Sequence, residues 1–470
     1  MRQLLRDATR NLLGLAGVAV TTISGVLIVT LAIVGFLGIA GGPYLGIITF
    51  LVLPFFFVLG LLLIPIGGWA EHRKARRAAA AGEAAPGLPV IDLNRPRTRN
   101  RLIGVGVLTV VNVVIVALAA YGGVETMDTP AFCGSCHSVM DPEFTAYRRS
   151  PHARVACVDC HIGAGASWFV RSKLSGAWQV VSVAFDLYPR PIPVPVHNLR
   201  PARETCEQCH WPTKFVGDRL KVITRHDDDE KSTEKRTALL LKVGGGSSPE
   251  RSEGIHWHVA PGVKLRYLAD AKREKIGVVE LTRPDGTVVT FRSEEGPQKP
   301  SADASWRVMD CVDCHNRPTH VFRTAEDEID EALNDGHIDR SLPYARREAL
   351  KALKAARGSH GEAAASISKE LVAFYRQLDP AGFPARQAAV EAAAAEVGKI
   401  YAYDVWPSMN IDWGTYPTFL GHDQAPGCWR CHDEAHATRD GKTISQDCTI
   451  CHTILAQDEA NPKILKDLGE

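Results

Sequence analysis

A chain of 470 residues with 45% hydrophobic side chains is long enough for two or three domains. Its 54 basic and 53 acidic residues nearly cancel, which excludes the strongly basic character that nucleic-acid binding uses. The near-balance hides a segregation of apolar and charged residues along the chain.

From Asn11 to Ala70 there is no Asp, Glu, Lys, Arg or His. A bilayer core takes about 20 apolar residues per helix. The stretch therefore predicts two membrane spans, near 13–40 and 45–67, broken at Gly41-Gly42-Pro43. Pro54 and Pro65 should kink or end the second. A further uncharged run predicts a third span over 102–121. The first run exceeds the apolar core of a cleaved signal, about 7–15 residues, so it is read as a retained helix. Arg2, Arg6 and Arg10 precede the first span, and Arg73, Lys74, Arg76, Arg77, Arg95, Arg97, Arg99 and Arg101 fill the loop before the third. Basic loops stay in the cytoplasm, so residues after Tyr121 are expected on the other side, the periplasm. That outer part holds 43 basic and 49 acidic residues. Its acidity suits solubility, or a redox partner with a basic patch.

All 12 cysteines lie in the outer part, in six copies of Cys-x-x-Cys-His. The copies are Cys133/Cys136/His137, Cys157/Cys160/His161, Cys206/Cys209/His210, Cys311/Cys314/His315, Cys428/Cys431/His432 and Cys448/Cys451/His452. A His after every second Cys is required by neither structural zinc nor disulfides. It is the attachment pattern of c-type haem, with two thioether bonds and an axial His per iron. Six covalently bound haems are therefore expected, and with them electron transfer.

Three regions follow the membrane domain of residues 1–121. Residues 122–215 carry the first three motifs, 216–305 are β-rich, and 306–470 carry the last three motifs with a helical insert. Ile276–Arg283 and Thr287–Arg292 flank Pro284-Asp-Gly, which predicts a hairpin. Residues 325–400 predict two or three helices, broken near Ser341-Leu-Pro, Gly358-Ser-His-Gly and Asp379-Pro-Ala-Gly-Phe-Pro.

A low-spin electron-transfer haem needs a second strong axial ligand, His or Met. Outside the motifs there are 11 histidines. His152, His197, His320, His422 and His436 lie near motifs and are candidates. Gly254-Ile-His-Trp-His is expected as a strand with His256 and His258 on one face, one of them a ligand. Met140, three residues after His137, is a candidate for the first iron. His226, His337 and His360 fall in polar stretches and are expected in solvent, and His72 is cytoplasmic.

Phe132-Cys-Gly-Ser-Cys-His-Ser-Val-Met, Tyr147-Arg-Arg-Ser-Pro-His, Cys157-Val-Asp-Cys-His and Arg200-Pro-Ala-Arg-Glu-Thr-Cys-Glu-Gln-Cys-His resemble the NapC/NirT family. Gly254-Ile-His-Trp-His, Cys311-Val-Asp-Cys-His-Asn-Arg-Pro-Thr-His and Gly427-Cys-Trp-Arg-Cys-His-Asp-Glu-Ala-His resemble its longer inner-membrane relatives, which have three N-terminal spans. The resemblance implies a membrane-anchored multihaem cytochrome c of the bacterial inner membrane. Its fold would be three N-terminal transmembrane helices plus a periplasmic haem domain of short helices and loops, with a small β-rich insertion. The family usually has one span and four haems, and its first motif carries Met two residues after the His. The resemblance further implies quinol oxidation beside the first haem. There Lys173 matches the family's lysine, and Gln179 or Asp186 stands near its acidic residue. Lys173 could also reach lipid head groups from an interfacial helix containing Trp168, Phe169 and Trp178.

The expected partners are membrane lipid, the quinol pool and a periplasmic redox protein or multihaem cytochrome, with no nucleic acid. Two rivals are an electron-transfer subunit of a larger respiratory complex without its own quinol site, and a terminal reductase with one open haem.

Overall fold

The protein is described here by a computed structural model covering residues 12–36, 48–80, 93–135, 137–163, 166–196, 200–245, 253–422 and 426–469. It divides into two compact units, Met1–Cys136 and His137–Glu470.

In the first unit, α1 (Leu12–Phe36), α2 (Leu53–Ala80) and α3 (Pro96–Met127) are each long and apolar enough to cross a bilayer. The part of 13–40 beyond Phe36 lies outside the described residues. The second helix contains Pro65 without ending there, and it runs on through the basic residues after Ala70. The third extends past Tyr121 to Met127, since Gly122 to Met127 bring only Glu125 as a charge. Helices α1 and α2 touch through small residues. A Cβ on Gly17 would stand 2.9 Å from the Gly60 carbonyl, and one on Gly60 would stand 2.7 Å from the Thr21 nitrogen. Lipid supplies little hydrophobic drive between helices, so close backbone approach supplies the contact instead.

After Met127 comes α4 (Pro130–Cys133), whose start is capped by Thr129 accepting from the Phe132 N–H. The Cys133 thiol lies 3.9 Å from the Met127 carbonyl. The first motif thus begins one short turn beyond the end of the third span.

The second unit begins with four helices, α5 (His137–Arg148), α6 (Cys157–His161), α7 (Ala166–Ala184) and α8 (Ala202–Cys206), of which α5, α6 and α8 hold motif residues. Two antiparallel sheets follow. One contains β1 (Arg219–His226), β2 (Glu234–Leu241) and β7 (His452–Glu459), in the order β1-β2-β7. The other contains β3 (Lys264–Asp270), β4 (Ile276–Thr282), β5 (Val288–Arg292) and β6 (Ala304–Val308), in the order β5-β4-β3-β6. The β4–β5 hairpin pairs Thr282 with Val288. Gly286 takes φ +84° in its turn, a conformation that suits glycine. The first sheet draws its third strand from the end of the chain, far outside the β-rich stretch 216–305.

The helical insert has four helices: α9 (Ala325–Asn334), α10 (Ala345–Ala355), α11 (His360–Leu378) and α12 (Phe383–Asp404). All three breaks read from the sequence separate them, which makes one more helix than expected. Ser359 and Glu362 form a capping box at the start of α11. Ile329, Leu333, Leu353, Ile367, Val390, Val397 and Ile400 are buried in the bundle core. At its edge Arg149 reaches Glu328 at 2.6 Å and Asp404 at 3.4 Å, both nearly fully buried. Burial, with the Glu328 carboxylate nearby, pushes Asp404 up to about 7. This ion-pair cluster fastens the insert to the segment Tyr147-Arg-Arg-Ser-Pro-His152.

A candidate haem row

Five motif histidines each face one other histidine. The ring centres of His161 and His320 are 6.3 Å apart, those of His210 and His152 6.0 Å, and those of His315 and His256 6.4 Å. His432 and His258 stand 5.8 Å apart, and His452 and His422 6.1 Å. Two imidazoles on opposite sides of one metal, with bonds of about 2.0 Å and ring radii of about 1.2 Å, place their centres about 6.3 Å apart. All five pairs match that spacing.

Ring orientation is also set. Nδ1 of His152 faces the Pro318 carbonyl at 3.2 Å, and that of His256 the Val243 carbonyl at 3.0 Å. Those of His258, His320 and His432 face the carbonyls of Ile255, Glu143 and Ser445 at 2.8, 2.9 and 2.8 Å. A carbonyl only accepts, so each Nδ1 carries the proton and Nε2 is left with its lone pair for a metal. Burial lowers His161, His258, His315 and His452, which favours the neutral ring a metal binds.

The ligand-bearing segments brace one another. Arg317 grips Glu143 with two 2.9 Å bonds, and this holds His320 against α5. His256 and His258 lie in a single 3-10 turn, Ile255–Val259, rather than in a strand. Such a turn has about three residues per rotation, so residues two apart diverge. The two rings therefore serve different motifs, where the alternating face of a strand would have aimed both at one.

The motif cysteines come together in chain order. The Cys206 and Cys311 thiols adjoin, and their interaction lowers Cys206 and raises Cys311. Burial raises Cys160, with Cys206 and, more weakly, Cys209 adding to it. Burial also raises Cys451, with Cys428 adding to it. Burial likewise pushes Cys431 up to about 12, and Cys314 and Cys428 contribute. Motifs two to six therefore form a continuous row in which each motif neighbours the next.

The thiols are not equally sheltered, although the motif treats both cysteines of a pair alike. Cys209 is exposed, as are Cys160 and Cys448, whereas Cys206, Cys311 and Cys431 are half-buried. The third motif illustrates the difference. The N–H groups of Cys209 and His210 both bond to the Cys206 carbonyl, at 3.1 and 2.8 Å. The Cys206 thiol lies beside Cys311, and Cys209 is exposed.

Several candidates are placed differently from expectation. His436 is buried, with Nδ1 2.9 Å from the Asp433 carboxylate and Nε2 3.1 Å from the Ile276 carbonyl. Acceptors occupy both ring nitrogens, so His436 is a structural residue and not a ligand. His226 is buried beside Asp330 rather than solvated. His360 donates to the Val405 carbonyl at 2.8 Å and packs on Trp406. His337 is exposed, as expected. His197 and Cys136 lie outside the described residues, and Met140 is half-buried on α5.

The residues matched to quinol chemistry fall on and after α7. Lys173 is half-buried, and Gln179 is exposed and contacts Ser175 at 3.4 Å. A helix advances about 100° per residue, so Lys173 and Gln179 point about 120° apart. Asp186 follows the helix at φ +55° and is paired with Arg190. That hydrogen bond holds its carboxyl below the ordinary range, a poor setting for taking up a proton. Leu174 and Trp178 on this helix are exposed, as is Phe185 just after it.

Paired cysteines beside paired imidazoles, in a chain that begins with a three-helix membrane unit, define a membrane-anchored c-type cytochrome with covalently bound haem. Residues 95–189 match the N-terminal region of the NapC/NirT cytochrome c family. Cytochrome c-type protein ImcH of Geobacter sulfurreducens is 41% identical over 423 residues, spanning 89% of this chain and 83% of that protein. Cytochrome c-type protein NrfH of Wolinella succinogenes is 35% identical over 86 residues, 17% of this chain and 47% of that protein. No solved structure matches. The chain belongs to the NapC/NirT family of membrane-anchored cytochromes, in the longer form that ImcH represents. It is an electron-transport protein of the inner membrane, with its haem domain on the periplasmic side.

Proposed function

We propose that the protein binds six haems, oxidises quinol at the outer face of the membrane, and passes electrons along the row to a periplasmic redox partner. The observation that carries this reading is the set of five histidine pairs at 5.8–6.4 Å. Each motif from the second to the sixth has its own distal imidazole, and each iron so held is closed to small substrates. This favours transfer over a terminal reductase. His152, His256, His258, His320 and His422 are the proposed distal ligands, with His161, His210, His315, His432 and His452 opposite them.

Haem supplies one-electron chemistry, iron(III) to iron(II). Each quinol releases two electrons and two protons, so one turnover reduces two irons and side chains or water must take the protons. Lys173 is the proposed residue that orients the quinol hydroxyl. Gln179 can supply a hydrogen bond, and Asp186 is held by Arg190. Cys133, one turn beyond the third span, would put the first haem where a lipid-soluble donor arrives.

The test is anaerobic mixing of the lipid-embedded protein with menaquinol and ubiquinol analogues, followed by haem absorbance. Lys173→Ala should slow quinol reduction while dithionite reduction stays unchanged. Wild-type protein that dithionite reduces and quinol does not would make it a subunit without its own quinol site.

A further inference from the structure

The fifth motif reads Cys428-Trp-Arg-Cys431-His432, and its second spacer residue is buried. Arg430 is 9% exposed. Its Nε donates to the Gly427 carbonyl and Nη1 to the Arg273 carbonyl, each at 2.8 Å, and Nη2 donates to the main-chain carbonyl of Asp313. The guanidinium lies 3.8 Å from the centre of the Phe419 ring. Asp313 is itself a spacer residue of the fourth motif. Arg430 therefore bridges the backbones of two successive motifs.

Among the described residues Arg430 makes no ion pair. The nearby Asp313 carboxylate is already matched. It accepts from Arg307 at 2.5 Å, the Tyr267 hydroxyl at 2.6 Å and the Asp310 N–H at 2.7 Å, with Arg273 at 3.5 Å. One carboxylate thus sits among three guanidiniums, and the most buried of the three is met by carbonyl dipoles and the Phe419 ring rather than by a carboxylate.

A fixed positive charge disfavours oxidised iron, which carries one more positive charge than reduced iron. At an effective dielectric of about 20, a charge about 10 Å away changes such an equilibrium by roughly tenfold. We propose that Arg430 is a potential-setting residue that keeps the fourth and fifth haems easier to reduce than their two imidazoles alone would make them. Electrons arriving from quinol then collect at the middle of the row before leaving. The step is one electron into iron(III) to give iron(II), with no bond or proton change at Arg430.

The proposal rests on haem attachment at these motifs, so a pyridine haemochrome assay on the full-length protein comes first. Fewer than six haems in the wild type would count against that attachment, not against Arg430. Spectropotentiometric titration of the detergent-solubilised protein then compares Arg430→Gln with Arg430→Lys. The Gln variant should lower the reduction equilibrium of two haem components by about tenfold, which is 59 mV for one electron. The Lys variant keeps the charge and should stay within about threefold of wild type. Equal falls in both variants would assign the effect to packing and overturn the proposal, as would unmoved potentials in the Gln variant. If Arg430→Gln does not retain its haems, Arg430→Met, which keeps an unbranched side chain against Phe419 without the charge, takes its place. It should lower the same two components by about tenfold, and unmoved potentials there overturn the proposal.

Discussion

Removing the two imidazoles of the Ile255–Val259 turn, singly and together, tests the row most directly. His256 faces His315 at 6.4 Å with the ring planes 8° apart, and His258 faces His432 at 5.8 Å with the planes 81° apart. Two residues apart in sequence, they are assigned to different irons with different ligand geometry. On the proposed assignment His256→Ala should open one haem, and His258→Ala another. Near-parallel and near-perpendicular imidazole planes split the iron d orbitals differently, so the two irons should have distinct low-spin EPR signals. His256→Ala should remove one component of the more rhombic signals, and His258→Ala one component of the strongly axial, large-g signals, to which the His152 and His210 pair at 74° also contributes. Each variant should gain one high-spin iron, and the double variant two. The same low-spin signal lost in both single variants, or a double variant with only one high-spin iron, would refute the assignment of one turn to two haems.

Further expectations concern the scaffold. Asp404 is raised to about 7, so folded protein holds its proton where the unfolded chain has lost it. The stability linked to that proton is complete below the ordinary carboxylate range and is lost as pH rises through 7. The loss is at most about 4 kcal/mol. Urea unfolding followed by ellipticity should show stability falling from pH 5 to 8 in wild type and a flatter profile in Asp404→Asn. In the membrane unit, Gly60→Ala places a Cβ 2.5 Å from the Thr21 hydroxyl and 2.9 Å from the Gly17 carbonyl. Overpacking of this kind costs about 1–3 kcal/mol, which should lower the thermal aggregation midpoint in detergent. Gly68→Ala, with nothing within 4 Å of the added carbon, should leave that midpoint unchanged.

Hydropathy and basic residues were enough to read three spans and their orientation, because a bilayer imposes its thickness on contiguous residues. The hairpin at Pro284-Asp-Gly and the breaks in the helical insert were legible for a similar reason, since turn chemistry is local. Strand β7 was not. It pairs with β2 across some 200 residues, as Leu241 with His452, and no local pattern marks that partner.

Haem attachment is a covalent chemistry of five consecutive residues, so its pattern is legible in the sequence: each copy carries two thiols and a histidine. Which thiol of a pair is sheltered is not, as the contrast between Cys206 and Cys209 shows. The second ligand is likewise a different kind of fact. His161 meets His320 and His315 meets His256 only after the chain folds. His422 and His436 flank one motif and look alike in sequence, yet one faces His452 while the other is held between Asp433 and a carbonyl. Tertiary structure alone decided that division. His422 stacks on Trp429 at 4.3 Å and is left facing His452. The distant Ile276 carbonyl and the Asp433 carboxylate take both nitrogens of His436, and a ring can meet a metal only through a nitrogen not already engaged.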